Sequence, residues 1–140
     1  MLSVDSYSKD HVDRCRQAFD AQLAAYRTLT ESVGTGEAAP ALAGFAPLFF
    51  ANLVLALDEW FLHRSRTLEG KNGGPLNEVR LIGEALVLHD GVLTGQRSIR
   101  YDADASVLGI ALGDQVVVTE AGFLALLDAV LAEVEVRYAP

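Results

Sequence analysis

Asn52, Glu59, His63 and Arg66 follow one another at steps of seven, four and three residues. That spacing puts four polar side chains on one face of a helix whose other residues are mostly Leu, Phe, Val and Ala. Such a stripe points at water or into a polar pocket, because burying polar groups without partners is unfavourable. Charged stripes more often face water. Glu59 and His63, at i,i+4, are weak candidates for a metal site, since two ligands are too few to hold an ion. His11, His89 or a further acid would have to complete the set. The di-iron arrangement of helical bundles uses Glu-x-x-His at i,i+3 with more glutamates, and neither that spacing nor a second copy occurs. No metal and no cofactor is expected.

A second feature begins where the stripe ends. Between His63 and Arg100 six bases (Arg64, Arg66, Lys71, Arg80, Arg97, Arg100) stand against four acids (Glu69, Glu78, Glu84, Asp90), in a chain of net charge −8. A locally basic segment in an acidic protein marks a candidate anion pocket. The loop Gly70-Lys71-Asn72-Gly73-Gly74 also runs into a helix start at Pro75 or Leu76, whose free N–H groups favour anions. On this reading His63, Arg64, Arg66, Lys71, Asn77 and Arg80 bind a small anionic ligand. The competing reading is structural. There Arg64, Arg66 and Arg80 pair with Glu69 and Glu78 and tie the glycine-rich loop to its flanking helices. The two differ at Arg66, whose removal destabilises the protein only on the structural reading.

The usual catalytic signatures are missing: there is no nucleophile elbow, no His-Glu-x-x-His and no P-loop, since Lys71 is not followed by Ser or Thr. Cys15 falls on an apolar helix face, where a thiol is ordinarily packing material. No catalytic residue is assigned, and a non-enzymatic role is favoured.

Four helices position these residues. Val12, Cys15, Phe19, Leu23, Tyr26 and Leu29 recur at three and four, which predicts a helix over 8–30 capped by Ser8. Residues 34–44 read as a loop, with Pro47 in the first turn of a second helix over 46–68. From Leu48 to Leu57 that helix is apolar on nearly every side, so it is a core helix or lies against a second subunit. A third helix is expected over 76–90, with Gly91 just past its end. Thr119 caps a fourth over 120–138. Ser98–Tyr101 alternates, and Gln115–Val118 is β-branched after a Gly113-Asp114 turn, so strands are expected at 98–101 and 115–118. The predicted fold is α+β and helix-dominated: one domain over 1–140, a four-helix bundle-like unit with a short β-hairpin or strand pair before the last helix.

Composition bounds the rest. The 140 residues, 51% hydrophobic and 21% charged, suit one folded domain. Nineteen acids against eleven Lys and Arg argue against nucleic acid as a partner. A single cysteine removes the disulfide-stapled secreted class. The beginning Met1–Ser6 has no basic or apolar leader character, which points to the cytoplasm. The uncharged run 38–57 has the length of a membrane span, but Pro40, Gly44, Pro47 and Asn52 interrupt it, and a membrane is not expected.

The stretch His63-Arg64-x-Arg66-x-x-Glu69-Gly70-Lys71-x-Gly73-x-Pro75-Leu76-Asn77-Glu78-Val79-Arg80 resembles the signature of a family of small uncharacterised bacterial proteins. Ser106-Val107-Leu108-Gly109 and Gly113-Asp114, leading into Thr119-Glu120-Ala121, are similar to that family's C-terminal part. The resemblance spans about the last two-thirds of the chain and implies no catalytic residues. Gly113-Asp114 before β-branched residues also resembles swapped-hairpin transcription factors, which the acidic balance argues against. The expected function is therefore protein association, as a homodimer through the second helix that Phe50→Glu or Leu53→Glu would weaken unless that side faces the protomer's own core. The alternative is a small anionic-ligand-binding protein or enzyme built on the end of that helix and the following loop.

Overall fold

Ser8 accepts a hydrogen bond from the His11 N–H at 3.1 Å and so satisfies one free donor at the start of α1, Lys9–Val33. Gly34 ends it with φ 53°. The computed structural model describes residues 2–140. Four further helices follow: α2 (Ala39–Trp60), the single turn α3 (Arg66–Glu69), α4 (Pro75–Leu88) and α5 (Glu120–Arg137). Thr119 caps α5 by accepting from the Gly122 N–H at 3.0 Å.

α2 packs against α1, α4 and α5, and α5 also packs against α1 and α4. Val12, Cys15, Phe19 and Leu23 of α1 are buried against Phe50, Leu53, Val54 and Leu57 of α2 and the inward row Phe123, Leu127, Val130 and Val134 of α5. Phe19, Phe50 and Phe123 form the aromatic centre, with Phe19 and Phe123 centroids 5.3 Å apart. Phe50 and Leu53 thus face the protomer's own core, so neither tests self-association.

Two expectations are corrected. No β-strand forms among the described residues, so the hairpin at 98–101 and 115–118 is absent and the fold is helical. The region keeps only an isolated antiparallel bridge, Val92 to Gln115. The reason lies in where its backbone donors go. Ile99 N–H bonds back to Gln96 and Arg100 N–H to Lys71, while the second segment bonds to residues 91–93 (Leu93 N–H to Asp114, Val116 N–H to Gly91), so the two expected strands do not pair with each other. The alternation itself is present, with Val116 and Val118 buried and Val117 exposed, but as an extended segment without a partner strand.

The second correction concerns α2. It spans Ala39–Trp60 rather than 46–68, with Pro40 in its first turn and Pro47 inside it. Ala41, Ala43 and Ala46 are strong helix formers, and Pro47 sits on an exposed side of the helix. The helix stops at Phe61, and His63 adopts φ 62°, which turns the chain sharply into α3.

Candidate functional site

Glu69 closes α3 with its side chain fully buried, and every lone pair it offers is used. Its Oε1 accepts from Arg64 Nε at 2.8 Å and Arg80 Nη2 at 2.7 Å. Its Oε2 accepts from Asn77 Nδ2 at 2.7 Å and Arg80 Nε at 3.0 Å. Arg80 therefore grips the carboxylate with two parallel bonds. Arg64, whose side chain is 2% exposed, spends its other donors on Asp58 Oδ1 at 2.9 Å, the Phe61 carbonyl at 3.2 Å and the Leu76 carbonyl at 3.1 Å. Two guanidiniums and two carboxylates balance in charge.

The local fold explains this convergence. Ser65 caps α3, accepting from the Leu68 N–H at 3.3 Å, which aims Glu69 at the start of α4. Gly73 has φ 81°, and a Cβ there would overlap the Arg100 carbonyl, so only glycine brings the loop this close. The Gly73 N–H donates to Asn77 Oδ1 at 2.9 Å, which completes the link from loop to helix. Burial pushes the Glu69 carboxyl up, but hydrogen bonding from Arg80, the charges of Arg64 and Arg80, and Asn77 together hold it below the ordinary glutamate value.

Glu78 is buried one turn along α4 and does something else. Its two oxygens accept the Val107 and Leu108 N–H groups, each at 2.8 Å, and pin the long 89–119 connection to the helix. Burial raises its pKa against the lowering effect of those two bonds. Tyr138 ties the end of α5 to the same region by donating to the Ser65 carbonyl at 2.7 Å, and burial raises its hydroxyl to about 12.

Of the six residues expected to bind an anion, Arg64, Asn77 and Arg80 belong to the Glu69 hub, while Lys71 is exposed on the loop and its carbonyl accepts from Arg100. His63 and Arg66 are exposed and make no side-chain hydrogen bond or ion pair among the described residues. They line a cleft of about 310 Å³ with Leu2, Ser3, Leu62, Arg64 and Arg80. The helical stripe Asn52, Glu59, His63, Arg66 does not exist as one face, because α2 ends at Trp60 and His63 turns away. Glu59 instead borders a different cleft, with Asp58, Arg80 and Glu84. Among the described residues no three of His, Cys, Asp and Glu come together as metal ligands. Cys15 is buried, which raises its thiol to about 12 and leaves it unreactive.

Asp58, Ser65 and the Phe61 and Leu76 carbonyls escaped the sequence reading. The carbonyls leave no trace in sequence, and Asp58 to Arg64 spans a helix end, where no periodic signal exists. The chain carries one helix, Ala39–Trp60, that is long and apolar enough to cross a membrane, and 22% of its most apolar window is buried in the fold. No protein-family model, no curated protein and no solved structure matches the chain.

Proposed function

We propose that this protein acts through association, as a homodimer built on the uncovered face of α2. The observation that carries the reading is the exposure of that helix. Leu48 is 67% and Phe45 47% exposed, beside Leu29 of α1 at 46%. Phe45 and Leu29 also border an apolar hollow of about 270 Å³ with Tyr26 and Phe49. Contiguous apolar surface of this kind normally marks an association site, and two-fold dimers are its commonest resolution.

The sequence of the uncovered stripe favours a second copy over another partner. Ala41, Phe45, Leu48, Asn52, Leu55 and Glu59 recur at four, three, four, three and four, and all are exposed or half-exposed. The stripe is symmetric about position 50. In an antiparallel pair Phe45 meets Leu55, Leu48 meets Asn52, and Glu59 meets Ala41 of the partner subunit. Among the described residues Glu59 makes no side-chain hydrogen bond or ion pair, and Ala38 gives the start of α2 no side-chain cap. A partner carboxylate at that helix start complements the Ala41 N–H and the positive dipole end, since Ala39 and Leu42 N–H are bonded within the chain and Pro40 has none.

Sedimentation equilibrium at micromolar concentration tests the reading. The expected mass is twice the 15.0 kDa chain mass. Leu48→Glu shifts it to monomer, and Val136→Glu, at an exposed apolar position on α5, does not. A wild-type monomer overturns the proposal, as does a monomer that instead partitions onto phosphatidylcholine vesicles through α2. The compartment in this reading is the cytoplasm.

A further inference from the structure

We propose that the cleft walled by His63, Arg66 and Arg80 is a binding site for a small phosphomonoester. The site does not depend on the α2 interface. Its walls are Leu2, Ser3, Leu62, His63, Arg64, Arg66 and Arg80, three guanidiniums with no carboxylate, on a protein of net charge −8. Glu69 and Asp58 offset the charges of Arg64 and Arg80 from behind, so the excess positive charge at the cleft is that of Arg66.

The donors divide into held and free. Glu69 takes Arg80 Nε and Nη2, which fixes the plane of that guanidinium and leaves Nη1 without a partner. Arg64 lies behind it with all three nitrogens engaged, so it supplies charge rather than a contact. Among the described residues the Arg66 and His63 side chains have no hydrogen-bond or ion-pair partner, and Ser3 adds a hydroxyl to the lining. A guanidinium pre-oriented by its own buried carboxylate is what a tetrahedral oxyanion site requires, because little side-chain freedom is lost on binding. His63 reaches its place by adopting φ 62°, a left-handed conformation that histidine tolerates better than most side chains, and its carbonyl accepts from the Val4 N–H. The approach of Leu2 and Leu62 gives the cleft an apolar wall beside the cationic one. That pairing suits an organic phosphate better than the free ion, and about 310 Å³ is the size of a small-molecule site.

The test is an NMR titration of the full chain at low ionic strength with phenyl phosphate and, separately, inorganic phosphate. Phenyl phosphate is expected to bind in the millimolar range or tighter, shifting the amides of Ser3, His63 and Arg66, with inorganic phosphate weaker. Arg66→Gln and His63→Gln should each weaken phenyl phosphate by about tenfold, while Arg97→Gln, which removes an exposed charge elsewhere, should leave it unchanged. Both site residues are exposed, so these variants fold. Three results overturn the proposal: no saturable shift up to about 20 mM ligand, an equal loss in Arg97→Gln, or undiminished affinity in Arg66→Gln. Binding that survives in a Leu48→Glu monomer separates this site from the fate of the dimer.

Discussion

Arg64→Ala would take one of four hydrogen bonds from Glu69 and the only ion-pair partner from Asp58, and would leave the Phe61 and Leu76 carbonyls without their donors. Breaking a buried pair on one side strands the other charge, a loss of about 3–5 kcal/mol. Arg64→Lys would fare little better, since a single ammonium cannot reach partners on α2, α3 and α4 from one plane. Two residues on, Arg66 contacts none of them. Arg66→Ala should therefore stay within about 0.5 kcal/mol of the native protein. Urea denaturation of the two variants checks the contrast, and equal losses would show that the hub does not carry the stability assigned to it. The contrast also resolves the sequence expectation for this segment. Arg64 and Arg80 do pair with Glu69, whereas Arg66 stands outside and Glu78 serves the backbone instead of an arginine.

Glu78 is what holds the connection between α4 and α5, which runs about thirty residues without regular structure. A segment of that length is uncommon in a small domain unless something fixes it. Glu78→Ala frees the Val107 and Leu108 N–H groups at a half-buried site, with a loss of about 1–3 kcal/mol. Hydrogen exchange should then quicken at amides 107 and 108 while α1 stays protected; unchanged protection at 107 and 108 would show that the strap does not depend on this carboxylate. At this scale the sequence was readable where a helix announces itself by capping and period. Ser8 and Thr119 mark α1 and α5, and Pro75 marks α4. Pro47 misled for α2, because a proline inside a helix on an exposed side looks the same in sequence as one at its start. The hairpin misled because β-branched alternation reports which residues turn inward and says nothing of where their backbone bonds go. The hub was partly legible, since Arg64, Glu69 and Arg80 lie within one short stretch.

For the molecule as a whole, Glu69 and Glu78 pull the pH dependence of stability in opposite directions. Glu69 titrates below its ordinary value of 4.5, so its contribution is complete above that pH and lost as pH falls through the lowered value. Glu78 titrates above 4.5, so its burial is unfavourable at neutral pH and is relieved as pH falls from the raised value towards 4.5. The melting temperature should rise slightly as pH falls towards 4.5 and then fall below 4.5 as Glu69 takes up its proton. Glu78→Gln should abolish the rise and keep the fall; a monotonic fall in the wild type would contradict the assignment. One further feature concerns both ends of the chain. The Val4 N–H donates to the His63 carbonyl at 2.8 Å, the Ser65 N–H to Val4 at 2.8 Å, and the Tyr7 N–H to Tyr138 at 2.9 Å, while Tyr138 reaches Ser65. The first and last turns of the polypeptide thus close on one clasp, and the backbone path is nearly a ring. Whatever is joined to either end, a tag or a further domain, leaves from the same side of the molecule.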